Sequence, residues 1–140
     1  MVSENFDVQS VSINVNPDKV FEFLAEPTNV PKWAVGFSEV DGKTAIMETP
    51  SGKMKVGMEM ICNKDLGTID TLMTMPDGST GKVFSRVTEN DGGASSVFTF
   101  VLMAPPVPLE EIEGTLAQQK KQLAEELLIL KSILEEESKS

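Results

Sequence analysis

The side chains able to do chemistry in this sequence are few, and their types narrow the options. There is no histidine and no tyrosine. The commonest general base, the commonest metal ligand and the phenolic acid are therefore all missing. Cys62 is the single cysteine. With no histidine a Cys–His nucleophile cannot be assembled, and one cysteine cannot close an internal disulfide. One Cys without His also falls short of a usual zinc ligand set. Cys62 follows an apolar alternation and precedes a turn, the setting of a buried, inert thiol. These residue types assign no catalytic residue, no metal and no cofactor.

Glu22, Glu26, Glu48, Glu59 and Asp70 are the carboxylates available for acid–base work. A catalytic pair needs mutual geometry and an apolar setting that raises one pKa. Glu59 alternates with Met58 and Met60, and Asp70 stands opposite a methionine-bearing face, so both are expected in solvent. Arg86 is the only arginine and lies within Val83-Phe84-Ser85-Arg86-Val87-Thr88. If it shares a face with Phe84 inside the protein, its fork would hold a carboxylate or phosphate. If Val83, Ser85 and Val87 face inward, it is a solvated surface cation. Strand parity decides between the two. Gly78-Ser79-Thr80-Gly81-Lys82 has the wrong length for a phosphate loop and reads as a hairpin turn.

The elements that must position these residues follow from periodicity. Residues 6–15 alternate, with Val11, Ile13 and Val15 on one face, as a strand does. Asn16-Pro17 then supplies a helix N-cap and a first helical position. Val20, Phe21, Phe23 and Leu24 give that helix an apolar side, and Pro27 ends it. A second short helical turn is expected around Asn29 to Trp33. From 36 to 104 the turn signals Asp41-Gly42, Ser51-Gly52, Asp77-Gly78 and Asn90-Asp91-Gly92-Gly93 separate short alternating runs. Met54, Val56, Met58, Met60 and Cys62 share one parity, as do Ile69, Thr71, Met73 and Met75. Short strands joined by close turns make an antiparallel meander. Ala104-Pro105-Pro106-Val107-Pro108 is a stiff connector. From Leu109 to about Glu136, apolar residues at Leu109, Ile112, Leu116, Leu123, Leu127, Leu130 and Leu134 predict one long helix. Residues 1–137 form a single domain, and 138–140 are expected to fray.

Strand, two short helices, meander and long terminal helix make a helix-grip arrangement, an α+β fold with a six- to seven-stranded antiparallel sheet. The run Ile13-Asn14-Val15-Asn16-Pro17-Asp18-Lys19-Val20-Phe21-Glu22-Phe23-Leu24, with Pro27 and Pro31-Lys32-Trp33, resembles the opening of the START/Bet v 1-like (SRPBCC) superfamily. Within it the chain is most similar to small polyketide cyclase/dehydrase-type proteins. The resemblance implies a curved sheet wrapped around the C-terminal helix, with an apolar cavity between them. It covers the whole chain in element order, but specific residues only over about 13–33.

Eight methionines in 140 residues, several in predicted strands, suit an adaptable cavity lining as well as ordinary core filling. Trp33, the only tryptophan, suits a pocket mouth or a core edge. The expected cavity residues are Trp33, Met47, Met58, Met60 and Met73, then Phe84, Arg86, Phe98 and Phe100, with Leu116, Leu123 and Leu127 from the helix. The expected function is binding or carriage of a small hydrophobic molecule without catalysis. One alternative is a cyclase/dehydrase-type enzyme using cavity shape with a carboxylate or Arg86. Another is an interaction module dimerising through the C-terminal helix, whose apolar residues exceed one face. A ligand hiding about 300 Å² would gain about 7 kcal/mol gross, consistent with micromolar binding.

The net charge of −10, from 22 acidic and 12 basic residues, argues against a nucleic-acid partner. No apolar run is long enough for a membrane span. The acidic N-terminus does not resemble a signal peptide, so a cytoplasmic monomer or weak homodimer is expected.

Overall fold

The first strand, β1 (Phe6–Ile13), ends two residues before its sequence alternation does. The Val15 amide donates to the Ile13 carbonyl at 2.8 Å, a tight turn that brings Val15 back into the core. A computed structural model describes residues 6–49, 52–103 and 116–139. The 104–108 connector, Ser51, Leu109 and Ile112 lie outside the described residues.

Asn16 has extended backbone, and its Oδ1 accepts from the Lys19 amide at 3.0 Å. Pro17 then opens α1 (Pro17–Ala25), which buries Val20, Phe21, Phe23 and Leu24. Asn16→Ala removes this acceptor and is expected to cost about 1 kcal/mol in chemical denaturation. A loss within error of zero would mean the cap contributes nothing. One 3-10 turn (Pro27–Asn29) runs directly into α2 (Val30–Trp33). The Asn29 side chain ties this junction to the end of α1 by donating to the Phe23 carbonyl at 3.0 Å.

Six further strands follow: β2 (Phe37–Val40), β3 (Thr44–Thr49), β4 (Gly52–Asn63), β5 (Thr68–Thr74), β6 (Thr80–Asn90) and β7 (Ser95–Met103). They form one antiparallel sheet in the order β1-β7-β6-β5-β4-β3-β2. This is the expected helix-grip sheet, with seven strands, curved as a half-barrel. At the β2–β3 turn, Asp41 accepts from the Lys43 and Thr44 amides at 3.0 and 2.8 Å and from the Thr44 hydroxyl. These bonds, led by the Lys43 amide, hold its carboxyl down at about 2. The turn expected after Cys62 is Lys64–Gly67, between β4 and β5, although no turn dipeptide marks it. Asn63 Oδ1 accepts the Leu66 amide there, and Gly67 adopts a φ of 74°.

The C-terminal helix α3 (Leu116–Lys139) is about 36 Å long at 1.5 Å per residue. It continues through Ser138 and Lys139, where fraying was expected. Leu123, Leu127, Leu130 and Leu134 form its buried stripe, at the spacing read from sequence. The helix packs on β1 and against α2. Lys131 Nζ donates to the Ser12 carbonyl at 2.6 Å, and Glu135 accepts from the Asn14 amide at 2.8 Å. The Gln9 side chain donates to the Lys120 carbonyl at 2.9 Å. A sheet-edge strand thus finds partners on the helix rather than presenting an open template. Among the described residues no helix is long and apolar enough to cross a membrane.

Candidate ligand cavity

Strand parity and register set the wall of an internal cavity. Met58 and Met60 of β4 point inward; Met58 pairs with Met73 of β5, and Met60 with Thr71. In the next hairpin Thr71 pairs with Val83 and Ile69 with Ser85. Ser85 in turn pairs with Phe100 of β7. The opposite wall comes from α1, α2 and the start of β2, through Leu24, Val30, Trp33, Ala34 and Phe37; Phe98 completes the lining. The space within this lining is about 80 Å³ and is partly open to solvent.

Three aromatic rings in this lining meet edge to face. Trp33 stands 6.3 Å from both Phe98 and Phe100 at near-perpendicular angles, and the two phenylalanines are 6.1 Å apart. Polar atoms are almost absent from the surface. The Ser85 hydroxyl donates to the Ile69 carbonyl at 2.6 Å, and Thr71 is the other hydroxyl residue of the described lining. No ionisable side chain belongs to the described lining.

Of the residues expected from sequence, Trp33, Met58, Met60, Met73, Phe98 and Phe100 come together here. Met47, Leu123 and Leu127 are buried core residues that do not border the cavity. Leu116 opens α3, and its side chain lies outside the described residues. Phe84 and Arg86 are corrections. Val83, Ser85 and Val87 take the inward parity on β6, so Phe84 and Arg86 project from the outer face. Arg86 Nε donates to the Leu66 carbonyl at 3.1 Å. The position of the cavity is a second correction. Its described lining joins the sheet to α1 and α2, with no contribution from the described part of α3.

Cys62 is a third correction. It keeps the parity of Met58 and Met60 but sits near the end of β4, and it is exposed. Desolvation, then the Asp70 charge, pushes its thiol above the ordinary range, which disfavours the reactive thiolate. Glu59 is exposed and Asp70 partly so, on the face away from the cavity. The sequence reading missed Leu24, Val30, Ala34, Phe37, Ile69, Thr71, Val83 and Ser85 as lining residues. Four of these lie on β5 and β6, where the hairpin register would have found them.

No protein-family model matches this chain, and no curated protein sequence matches it significantly. Solved structures do share its architecture. A START superfamily protein from Mycobacterium smegmatis superposes with a TM-score of 0.64 at 12% identity, covering 94% of this chain and 95% of that one. The di-domain ARO/CYC StfQ of the steffimycin biosynthetic pathway gives 0.69 at 11% identity, over 95% of this chain and 46% of StfQ. DynU16, from the dynemicin biosynthetic locus, gives 0.65 at 18% identity, over 95% and 48%. This chain thus spans about half the length of StfQ and of DynU16. At such identities the common property is the path of the backbone: this chain has the helix-grip fold of the START/Bet v 1-like superfamily.

Proposed function

We propose that this protein binds a small hydrophobic molecule in the cavity between the sheet and the α1–α2 segment, and does not act on it chemically. The supporting observation is the cavity wall itself, apolar apart from Thr71 and Ser85 and free of ionisable groups among the described residues. The cyclase-type alternative named Arg86 or a carboxylate as its working group. Arg86 lies on the far face of the sheet, and no carboxylate is in the described lining. For the dimerisation alternative, Leu127, Leu130 and Leu134 are buried within the chain's own fold, leaving Leu128 as the exposed large apolar side chain among the described residues of α3. The buried stripe of α3 therefore offers no dimer interface in this fold.

Size sharpens the reading. The space of about 80 Å³ is smaller than the roughly 150 Å³ of a dry cavity that takes up benzene, and far below the roughly 300 Å³ or more of drug-sized sites. A ligand hiding 300 Å², as anticipated from sequence, would have to widen the cavity. Met58, Met60 and Met73 supply that freedom, because an unbranched thioether changes rotamer at small cost.

The test is thermal unfolding with and without small apolar compounds, alongside native mass spectrometry of freshly purified protein. A ligand at about a hundred times its Kd adds about 2.7 kcal/mol, which raises Tm by about 8 °C for a domain of this size. Absence of any shift across alkyl and aromatic compounds, with no co-purified small molecule, would overturn the proposal.

A further inference from the structure

We infer that the cavity is selective for an uncharged group the size of a single aromatic ring, and that it rejects anionic ligands. This inference rests on the binding proposal above and narrows it to a ligand class. Three features of the wall carry it.

The first is the aromatic cluster. Trp33, Phe98 and Phe100 all border the cavity and are already arranged edge to face, at 6.1–6.3 Å between ring centres. A fourth ring entering beside them extends that arrangement, with ring edges meeting ring faces as the quadrupoles prefer. A saturated ring of similar size gains the same burial but not this electrostatic complement. The second is sulfur. Met58, Met60 and Met73 line the same cavity from β4 and β5, and thioether–aromatic contacts again favour a ring over an alkane. The third is charge. The single arginine, Arg86, points out of the opposite sheet face, and the Ser85 hydroxyl is committed to the Ile69 carbonyl. A carboxylate entering the cavity would find no cation in the described lining, and the neutral Thr71 hydroxyl would replace only a small part of its lost hydration. The volume of about 80 Å³ admits one ring after modest methionine movement, not a fused ring system.

Trp33 is the only tryptophan, and there is no tyrosine. Its emission, excited at wavelengths where simple benzenes do not absorb, therefore reports on the cavity alone. The experiment titrates the intact protein with toluene, methylcyclohexane and benzoate at neutral pH. Toluene is expected to give a saturable change in Trp33 emission. Methylcyclohexane should bind about fivefold or more weakly, and benzoate at least about a hundredfold more weakly. Phe100→Leu keeps an apolar wall but removes one ring. Phe100 is only partly buried, so the fold should survive, and the toluene preference over methylcyclohexane should fall about threefold. That ratio is insensitive to a general loss of stability.

Equal affinity for toluene and methylcyclohexane, or a ratio unmoved by Phe100→Leu, would overturn the aromatic preference while leaving apolar binding in place. Benzoate binding as tightly as toluene would overturn the exclusion of anions. Failure of toluene and methylcyclohexane alike would overturn the binding proposal itself, an outcome distinct from the other two.

Discussion

Met58→Asp is expected to unfold this protein near neutral pH and to spare it partly in acid. Met58 is 5% exposed, on the cavity wall, with no cation in the described lining. Desolvation would raise the pKa of an aspartate there well above its unfolded value of about 3.9. Below about pH 4 the group is protonated in both states, and the cost is that of a buried neutral carboxyl. As pH rises, the unfolded chain ionises while the folded one resists. Stability then falls by about 1.4 kcal/mol per pH unit until the folded-state pKa is reached. With that pKa at 7 or above, the loss at pH 7 is about 4 kcal/mol beyond the acid value, a large share of the 5–15 kcal/mol typical of such domains. Met58→Leu conserves volume and should cost less than about 1.5 kcal/mol at any pH. Denaturation midpoints of both variants at pH 4 and pH 7 check this. A Met58→Asp protein equally stable at both values would show that this side chain reaches water.

Gly67→Ala is expected to cost about 3–5 kcal/mol, from backbone strain and collision together. Gly67 has a φ of 74°, where an L side chain is strained. A Cβ there would press into the carbonyl oxygen of Val87 and lie 3.3 Å from its carbon. The Val87 amide also donates to the Gly67 carbonyl at 2.8 Å, so the turn cannot move off β6 without breaking that bond. Gly78 provides the control. Its φ is 89°, but a Cβ would meet nothing within 4 Å. Gly78→Ala should therefore show the conformational cost alone, about 1 kcal/mol. Equal losses at the two sites in urea denaturation would remove the collision from the account.

The contrast between these glycines also shows what the sequence made legible. Asp77-Gly78 was recognisable as a turn from its dipeptide, and Asn16-Pro17 as a helix start, because each depends on neighbours in the chain. Lys64–Gly67 carries no comparable dipeptide, and the close contact that requires glycine is with Val87, twenty residues away. The buried stripe of α3 was readable because 3.6-residue periodicity survives any tertiary arrangement. The parity of β6 was harder, since Val83, Phe84 and Val87 place large apolar groups on both faces. Its answer was nevertheless present in the hairpin. With Asp77-Gly78 at the tip, Thr74 pairs with Thr80, and counting back brings Asp70 opposite Phe84. Asp70 was already assigned to the face away from the methionines, so Phe84 and Arg86 had to follow it outward. The element that closes the cavity was beyond this reasoning. α1, α2 and α3 all present apolar sides, and only their packing on the sheet selects α1 and α2 as the second wall. Cys62 marks the same limit, because its parity is inward while the covering elements leave it exposed.

The central claim, that an apolar ligand occupies the space between Trp33 and the methionines of β4 and β5, is tested most directly by methyl NMR of methionine-labelled protein titrated with toluene. Of the eight methionines, seven lie among the described residues and give probes distributed over the fold. Saturable shifts are expected for Met58, Met60 and Met73, which line the cavity, and little movement for Met103, which pairs with Phe6 on the outer face. Unchanged methyls at Met58, Met60 and Met73 up to the solubility limit of toluene, or shifts confined to Met103, would contradict that claim.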